Sequence, residues 1–165
     1  MKDWGTDLIY ETTNEKLSKV TVPPHKKYTK INLSTRMLSV SENKEGIKMK
    51  ALLDNNPNTY WKTLTQDKKN KQAYKAQYLT IKISKPTTVS AIGAAWHTGY
   101  QRMYGHEVET SLDGKTYKQV ARGMSHTDNS LQKIDFTPQK VRFIRLKCKG
   151  TMRGYSILNE ITLYE

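Results

Sequence analysis

The feature that most constrains the fold is a series of short segments in which apolar and polar residues alternate, separated by turn-forming residues. In the segment QYLTIKI, Leu79, Ile81 and Ile83 fall on one face, whereas Thr80 and Lys82 fall on the other. The segment VRFIRLKC alternates in the same way, and no stretch repeats its apolar residues with the period of a long helix. Many short strands separated by turns predict an all-β sandwich or jelly roll.

The segment HEVETSLDGKTYKQVA predicts a β-hairpin. Val108, Thr110 and Leu112 alternate with two glutamates, which places the three on one face of a strand. Asp113-Gly114 then supplies a tight turn of the kind that joins two antiparallel strands.

The 165 residues fit one domain of ordinary size. Residues 1–30 predict an N-terminal extension or linker, because they are polar and the segment VPPHKKY at 22–28 breaks any regular element. Strand-like patterns begin at about residue 31, so the predicted domain is 31–165. The start MKDWGTDLIYETT lacks the apolar region of a signal peptide, and we expect a mature form or an excised module.

The chain is strongly basic, with 28 Lys and Arg against 15 Asp and Glu and a formal net charge of +13. Such a balance favours a polyanionic partner: nucleic acid, an anionic membrane or an acidic polysaccharide. We find no ribonucleoprotein motif, zinc-finger spacing or basic helix, so nucleic acid is not expected. The local basic cluster QDKKNKQAYK at 66–75 is more typical of a solvated loop than of a binding site.

The single cysteine, Cys148, excludes an intrachain disulfide and a zinc site built from several cysteines. Its place in the alternating segment VRFIRLKCKG predicts a buried, inert thiol. No apolar run reaches the roughly eighteen residues that a membrane-spanning helix requires.

The stretch ALLDNNPNTYWKT at 51–63 concentrates oxygen-bearing turn residues directly before two large aromatic residues. Asn, Asp and Pro are frequent in ordinary turns, and carboxylate, amide and hydroxyl oxygens are also the ligands of calcium. The spacing is not that of an EF-hand, because Thr59 stands where that loop needs Gly and Thr65 where it needs Glu. A plain turn and another kind of metal loop both remain open at this point.

Four stretches, in order, resemble the discoidin-like (coagulation factor type C) family, and within it the family 32 carbohydrate-binding modules. They are ALLDNNPNTYW, QYLTIKISKPTTVSAIGAAW, YGHEVETSLDGKTYKQV and the pair VRFIRLKCKG and NEITLYE. The resemblance covers about residues 31–165 and implies an eight-stranded antiparallel jelly-roll β-sandwich, of the galactose-binding-domain-like kind, with ligand-holding loops at one end. It also implies a non-catalytic domain, beside which the parent protein carries a fused catalytic domain.

The resemblance further implies that the loop wraps a structural Ca²⁺. The carried-over ligands are the Ala51 carbonyl, the Asp54 carboxylate, Asn56, the Thr59 carbonyl and hydroxyl, the Asn159 carbonyl and the Glu160 carboxylate. Two carboxylates among neutral oxygens suit calcium and not zinc. Asn55 stands where the family usually has Gly, and Asn tolerates the positive φ of such a turn. Trp61 is expected to pack in the core and clamp the loop to it.

The stretch WHTGYQRMYG at 96–105 resembles a ligand-binding loop of modules attached to polysaccharide lyases, particularly those that act on alginate. The resemblance implies that Arg102 pairs with a sugar carboxylate, that His97 hydrogen-bonds the sugar and that Tyr100 offers an aromatic flank. In KGTMRGYSILNE, Tyr155 takes the place of the aromatic residue that faces the sugar, with Arg153 beside it. Tyr104 is expected to lie in the core or to pack at the end of a strand.

The predicted function is therefore a carbohydrate-binding module for an acidic polysaccharide, alginate or another polyuronate, which brings an attached or partner enzyme to its substrate. A monomer that is secreted, periplasmic or on the cell surface is expected. The alternative is an adhesion module that binds a membrane or a protein, for which Met103, Met124 and Met152 are the only candidate apolar loop tips. A membrane is the less expected partner. Catalysis is not expected, because Glu107 and Glu109 lack an evident partner acid or nucleophile.

Overall fold

The computed structural model describes residues 27–67, 69–70 and 74–165. Most of the predicted extension at 1–30 lies outside these residues, as does part of the basic cluster at 66–75. The described residues form eight strands: β1 (Lys30–Ile31), β2 (Leu38–Val40), β3 (Trp61–Leu64), β4 (Gln77–Trp96), β5 (Gly105–Ser111), β6 (Lys118–Met124), β7 (Gln132–Gly150) and β8 (Tyr155–Tyr164). Two short 3₁₀ helices, Thr35–Met37 and Met49–Leu52, precede β2 and the Asn-rich loop. Within the described part of the chain, no helix is long and apolar enough to cross a membrane.

All strand pairs are antiparallel, and they run in the order β1-β8-β4-β7-β5-β6, with β2 also paired to β4 and β3 to β8. The long strands β4 and β7 pair along most of their length, with register shifts between Lys82 and Thr87 and between Val89 and Ala91. Such irregularities bend a strand. The bent pair of β4 and β7 can therefore contribute to both of the packed layers of a β-sandwich. The predicted all-β fold of eight antiparallel strands is confirmed.

The core is a single hydrophobic cluster to which both halves of β4 contribute. Leu79 and Ile81 in the first half, and Ile92 in the second, are fully buried. The alternation seen in QYLTIKI therefore marks the core face, as predicted. The largest fully buried side chains are those of Trp61, Trp96 and Tyr104.

The β5–β6 hairpin is present, but its connection is longer than the Asp-Gly pair predicts. Residues 112–117 join the two strands, and the Asp113 Oδ1 atom accepts hydrogen bonds from the backbone N–H groups of Lys115 and Thr116, both at 2.8 Å. These bonds lower the pKa of Asp113 to about 2. Leu112, predicted to share a strand face with Val108 and Thr110, instead lies in the connection and is 56% exposed.

The Cys148 thiol is fully buried and free, as the sequence predicts. Burial raises the pKa of this thiol to about 12, because the thiolate would lose its hydration.

The pairing of β8 brings together three connections: the Asn-rich loop before β3, the 97–104 loop and the 151–154 turn. Trp61 at the start of β3 and Trp96 at the end of β4 both pair with Leu158. The 97–104 loop begins where the His97 N–H donates to the Ile157 carbonyl (3.0 Å) and ends at β5, whose Gly105 pairs with Gly150. This loop therefore follows the first part of β8, beside the 151–154 turn and the Asn-rich loop before β3.

Candidate ligand site and candidate metal loop

The Asn-rich loop gathers oxygen atoms around one hydroxyl group. The Thr59 Oγ1 atom lies 3.2 Å from the Ala51 carbonyl oxygen, 2.9 and 2.8 Å from the two Asp54 carboxylate oxygens and 3.1 Å from the Asn56 carbonyl oxygen. A hydroxyl group has one proton to donate, so it cannot satisfy all of these acceptors at once. The loop therefore presents more oxygen lone pairs than it has protein donors for at this point.

Glu160, on β8, closes the loop from the other side. Its Oε2 atom accepts a hydrogen bond from the Asn55 backbone N–H at 2.9 Å. Asn55 adopts a φ of +52°, which confirms that Asn takes the left-handed conformation in this turn. Partial burial raises the pKa of Glu160, and the nearby negative charge of Asp54 raises it further.

The Asn159 side chain ties the loop to β8. Its amide Nδ2 donates to the Pro57 carbonyl (2.9 Å) and to the Thr59 carbonyl (2.8 Å). The resemblance implies that the backbone carbonyl of Asn159 is a metal ligand. The side chain of Asn159 has a second role, which the sequence did not predict: it holds the loop against β8.

The six predicted metal ligands thus lie around one loop and the strand that faces it. They comprise two carboxylates and several neutral oxygens, a set that suits Ca²⁺. No group of three or more His, Cys, Asp or Glu side chains that could hold a metal occurs among the described residues. Any ion held here would depend on backbone, amide and hydroxyl oxygens as much as on charge.

Trp61 anchors the end of the loop. Its side chain is 1% exposed, and its indole Nε1 donates to the Glu42 carbonyl at 2.8 Å. The expectation that Trp61 packs in the core is confirmed, and the alternation along β3 then turns its neighbours Tyr60 and Lys62 outward.

Two cations lie over the ring of Tyr155. The Arg102 guanidinium carbon is 5.5 Å from the ring centroid, and the Lys62 ammonium nitrogen is also 5.5 Å from it. The Tyr104 hydroxyl, which donates to the His97 carbonyl at 2.7 Å, raises the pKa of Arg102, mainly by hydrogen bonding. Tyr104 itself is fully buried and stacks on Trp96 with ring centroids 4.9 Å apart, which confirms its predicted place in the core.

The other predicted ligand residues do not all join this group. His97 and Tyr100 line a cavity of about 740 Å³ that also borders the Asn-rich loop and Glu160. The His97 ring packs on that of Tyr60, with centroids 4.7 Å apart. Arg153 is exposed in the 151–154 turn, where its backbone N–H donates to the Thr151 hydroxyl (3.2 Å). The structure thus places Arg102 over Tyr155 and His97 on Tyr60, and the Tyr104 hydroxyl bonds both the His97 carbonyl and the Arg102 side chain.

Lys62 is the site residue that sequence reasoning missed. A signal was available, because a buried Trp61 in an alternating strand requires the next residue to face solvent. That Lys62 reaches Tyr155 depends on the pairing of β3 with β8, in which Lys62 faces Ile157 and Leu64 faces Tyr155.

The carboxylates weighed as catalytic groups are engaged elsewhere. Glu107 forms ion pairs with Lys147 and Lys149, each at 3.2 Å, and Glu109 pairs with Arg145. All of these side chains belong to β5 and β7, so they form cross-strand pairs on a sheet face. Their positions are those of structural ion pairs.

Comparison with solved structures gives the same fold. A truncated AlyQ with CBM32 and alginate lyase domains superposes with a TM-score of 0.72 at 22% identity over 86% of this chain, which spans 34% of that protein. The CBM32 of AlyQ in complex with 4,5-unsaturated mannuronic acid gives 0.67 at 22% identity, over 86% of this chain and 99% of that module. A pectin-binding carbohydrate-binding module gives 0.64 at 19% identity, over 83% of this chain and 91% of that one. At these identities the likeness establishes the fold, which is that of carbohydrate-binding modules.

No curated protein is significantly similar in sequence. The family comparison is decisive, since residues 30–161, most of the chain, match the F5/8 type C domain. The chain therefore belongs to the F5/8 type C (discoidin-like) domain family.

Proposed function

We propose that this chain is a non-catalytic carbohydrate-binding module that recognises an acidic polysaccharide, with alginate or another polyuronate as its ligand. In this role it brings an attached or partner enzyme to its substrate outside the cytoplasm. The observation that carries the proposal is the placement of Arg102 and Lys62 over the Tyr155 ring, at the end of the sandwich where three connections meet.

The chemistry of this group suits a uronate. The Arg102 guanidinium presents a planar fork of N–H donors that matches a carboxylate, and Lys62 adds a second, mobile cation. The half-buried Tyr155 ring offers an apolar face beside them. The net charge of +13 attracts a polymer with one negative charge per sugar, and this attraction weakens as salt screens it. The alginate-lyase and pectin-binding modules of the same fold support the assignment to acidic sugars.

Calcium is part of the proposal. Several oxygen acceptors surround the single Thr59 hydroxyl, and the Asp54 and Glu160 carboxylates repel each other. A Ca²⁺ ion would accept these lone pairs and neutralise the two charges. When bound, the ion would cross-link the loop to β8 and supply no group to a reaction. Because the loop leads directly into β3, an ion that fixes the loop would also fix the start of β3, which carries Lys62.

Substitution of Arg102 tests the site. Arg102→Ala removes a charge-assisted pair and is expected to weaken binding of uronate oligosaccharides by about 1.5–3 kcal/mol in isothermal titration calorimetry. Arg102→Lys should restore little, because a point charge cannot reproduce the fork. Arg36→Ala, an exposed arginine in the first 3₁₀ helix, is the matched control and should bind as wild type. Wild-type binding by Arg102→Ala would place the site elsewhere.

A comparison of polyanions separates recognition from general attraction. At one fixed salt concentration, binding is measured to alginate, polygalacturonate, heparin and DNA, with a neutral glucan as the blank. A shaped site prefers one uronate and binds its short oligomers, whereas a uniformly basic surface ranks ligands by charge density. Tightest binding to heparin and DNA, with no response to uronate oligomers, would contradict the proposal.

The second candidate function is adhesion, to a membrane or to a protein, and the exposure of three methionines favours it. Met103, Met124 and Met152 are 49%, 50% and 102% exposed. Sedimentation with anionic vesicles distinguishes the candidates, since a carbohydrate-binding module should remain in the supernatant. Sedimentation that is lost on Met152→Ser would favour the membrane.

A further inference from the structure

The outward face of β3 and its flanks forms a row of side chains along the edge of the sandwich. Trp61 and Thr63 are 1% and 4% exposed and point into the core. Lys62, Leu64 and Gln66 occupy the alternate positions, and each is exposed or half-buried. Because successive side chains of a strand point to opposite faces, these three share the outer face.

The first part of this row contains the proposed uronate site. Tyr60 begins it, packed on His97 with ring centroids 4.7 Å apart. Lys62 follows, and its ammonium lies 5.5 Å from the centroid of the Tyr155 ring, the same distance as the Arg102 guanidinium carbon. The first part of the row therefore brings an aromatic ring, Tyr60, and a cation, Lys62, next to the Arg102–Tyr155 pair.

The row continues beyond this site into a cleft. The cleft, which we call the Glu42 cleft, has a volume of about 390 Å³ and is lined by Glu42, Lys44, Leu64, Gln66, Asp67, Lys69 and Lys75. Leu64 pairs with Tyr155 in the sheet, so the cleft adjoins the Tyr155 ring. Gln66 packs against the turn that carries Tyr155, since a Cβ added at Gly154 would lie 2.0 Å from the Gln66 Cδ atom.

The lining of the Glu42 cleft carries three lysines and two carboxylates. Glu42 forms ion pairs with Lys44 (2.7 Å) and Lys75 (3.5 Å), and its carboxylate accepts a hydrogen bond from the Gln77 amide (2.6 Å). The pKa of Glu42 is lowered, first by the Lys44 hydrogen bond, so this carboxylate stays ionised and occupied by protein partners. The lysines of the cleft outnumber its carboxylates, and the net charge of its lining is positive.

We propose that the outward row of β3, from Tyr60 to Gln66, together with the Glu42 cleft, forms an extended track that binds several consecutive acidic sugars. Six residue steps of strand span about 20 Å, which exceeds the width of a single sugar ring. The module would then grip the interior of a polyuronate chain and not only its end. This inference rests on the proposed function and specifies how that same site reads its ligand.

A length series tests the track. Oligomannuronates and oligogalacturonates of one to six sugars are titrated against wild type and against the double variant Lys69→Ala/Lys75→Ala. In wild type, affinity should rise at least about tenfold from the dimer to the hexamer, because each added sugar meets further cations. The double variant should bind the hexamer about fivefold more weakly and the dimer as wild type does. Lys115→Ala/Lys140→Ala removes the same charge from exposed positions at the β5–β6 connection and on β7, and should leave the length dependence unchanged.

The outcomes separate this inference from the proposed function. Dimer binding that depends on Arg102 but does not tighten with length would overturn the track and leave the uronate site standing. A double variant that binds the hexamer like wild type would also overturn the track. Absence of binding at every length would overturn both.

Discussion

Replacing Glu160 by Gln is expected to reverse the order of stability between wild type and variant when calcium is removed. In the metal-free protein, the Glu160 carboxylate is partly buried near the negative charge of Asp54, which raises its pKa and makes its ionised form unfavourable. Gln has nearly the same shape, and its carbonyl oxygen can still accept the Asn55 N–H. Without calcium, Glu160→Gln should therefore be at least as stable as wild type.

Calcium should stabilise only the wild type. An ion that binds the folded state alone, at a free concentration of 100 times its dissociation constant, adds about 2.7 kcal/mol to the free energy of unfolding. For a domain of this size, 1 kcal/mol shifts the melting temperature by about 3 °C, so the expected gain is about 8 °C. Loss of one of two carboxylate ligands should remove most of that gain.

Differential scanning calorimetry in excess EDTA and in millimolar calcium measures both effects. Glu45→Gln is the matched control, because it neutralises an exposed carboxylate in the 42–48 region, and it should follow wild type under both conditions. A wild-type melting temperature that does not change with calcium would refute the metal loop. An equal gain in Glu160→Gln would refute the part assigned to Glu160.

Three further predictions concern single residues. His106 is 6% exposed, and burial lowers its pKa to about 4. The unfolded chain takes up a proton on this histidine near pH 6.5, whereas the folded chain does not. The free energy of unfolding should therefore fall by about 2–4 kcal/mol as the pH drops from 6.5 to 4. Urea denaturation at pH 7 and 4.5 measures the loss, and the same pH dependence in His106→Gln would contradict it. The Cys148 thiol should not react with Ellman's reagent at pH 8 until the protein is unfolded in guanidinium, because burial raises its pKa to about 12. Gly154→Ala should destabilise by more than Gly46→Ala: both have positive φ (+81° and +64°), but only at Gly154 would the Cβ meet a neighbour, Gln66. Equal melting temperatures for the two glycine variants would argue against that contact.

The sequence by itself determined that the longer alternating segments form strands and which of their faces is buried. The period-two pattern through Leu79 and Ile81 required a β-strand with one apolar face, and both side chains are fully buried. The burial of Cys148 followed from the same local rule, whereas the burial of Trp61 was implied by the resemblance to the discoidin-like family. The positive φ of Asn55 followed from the tolerance of Asn for that conformation.

Only the tertiary structure decided which of these faces and loops meet. Alternation turns Lys62 outward, but the pairing of β3 with β8, more than ninety positions along the chain, brings it over Tyr155. That Arg102 lies over Tyr155 whereas His97 packs on Tyr60 depends equally on the path of their loop beside β8. The length of the β5–β6 connection was settled by the bonds of the Asp113 side chain, which compete with the two-residue turn. A local pattern fixes the direction of each side chain relative to its own strand, whereas contacts between distant segments depend on the packing of the whole core.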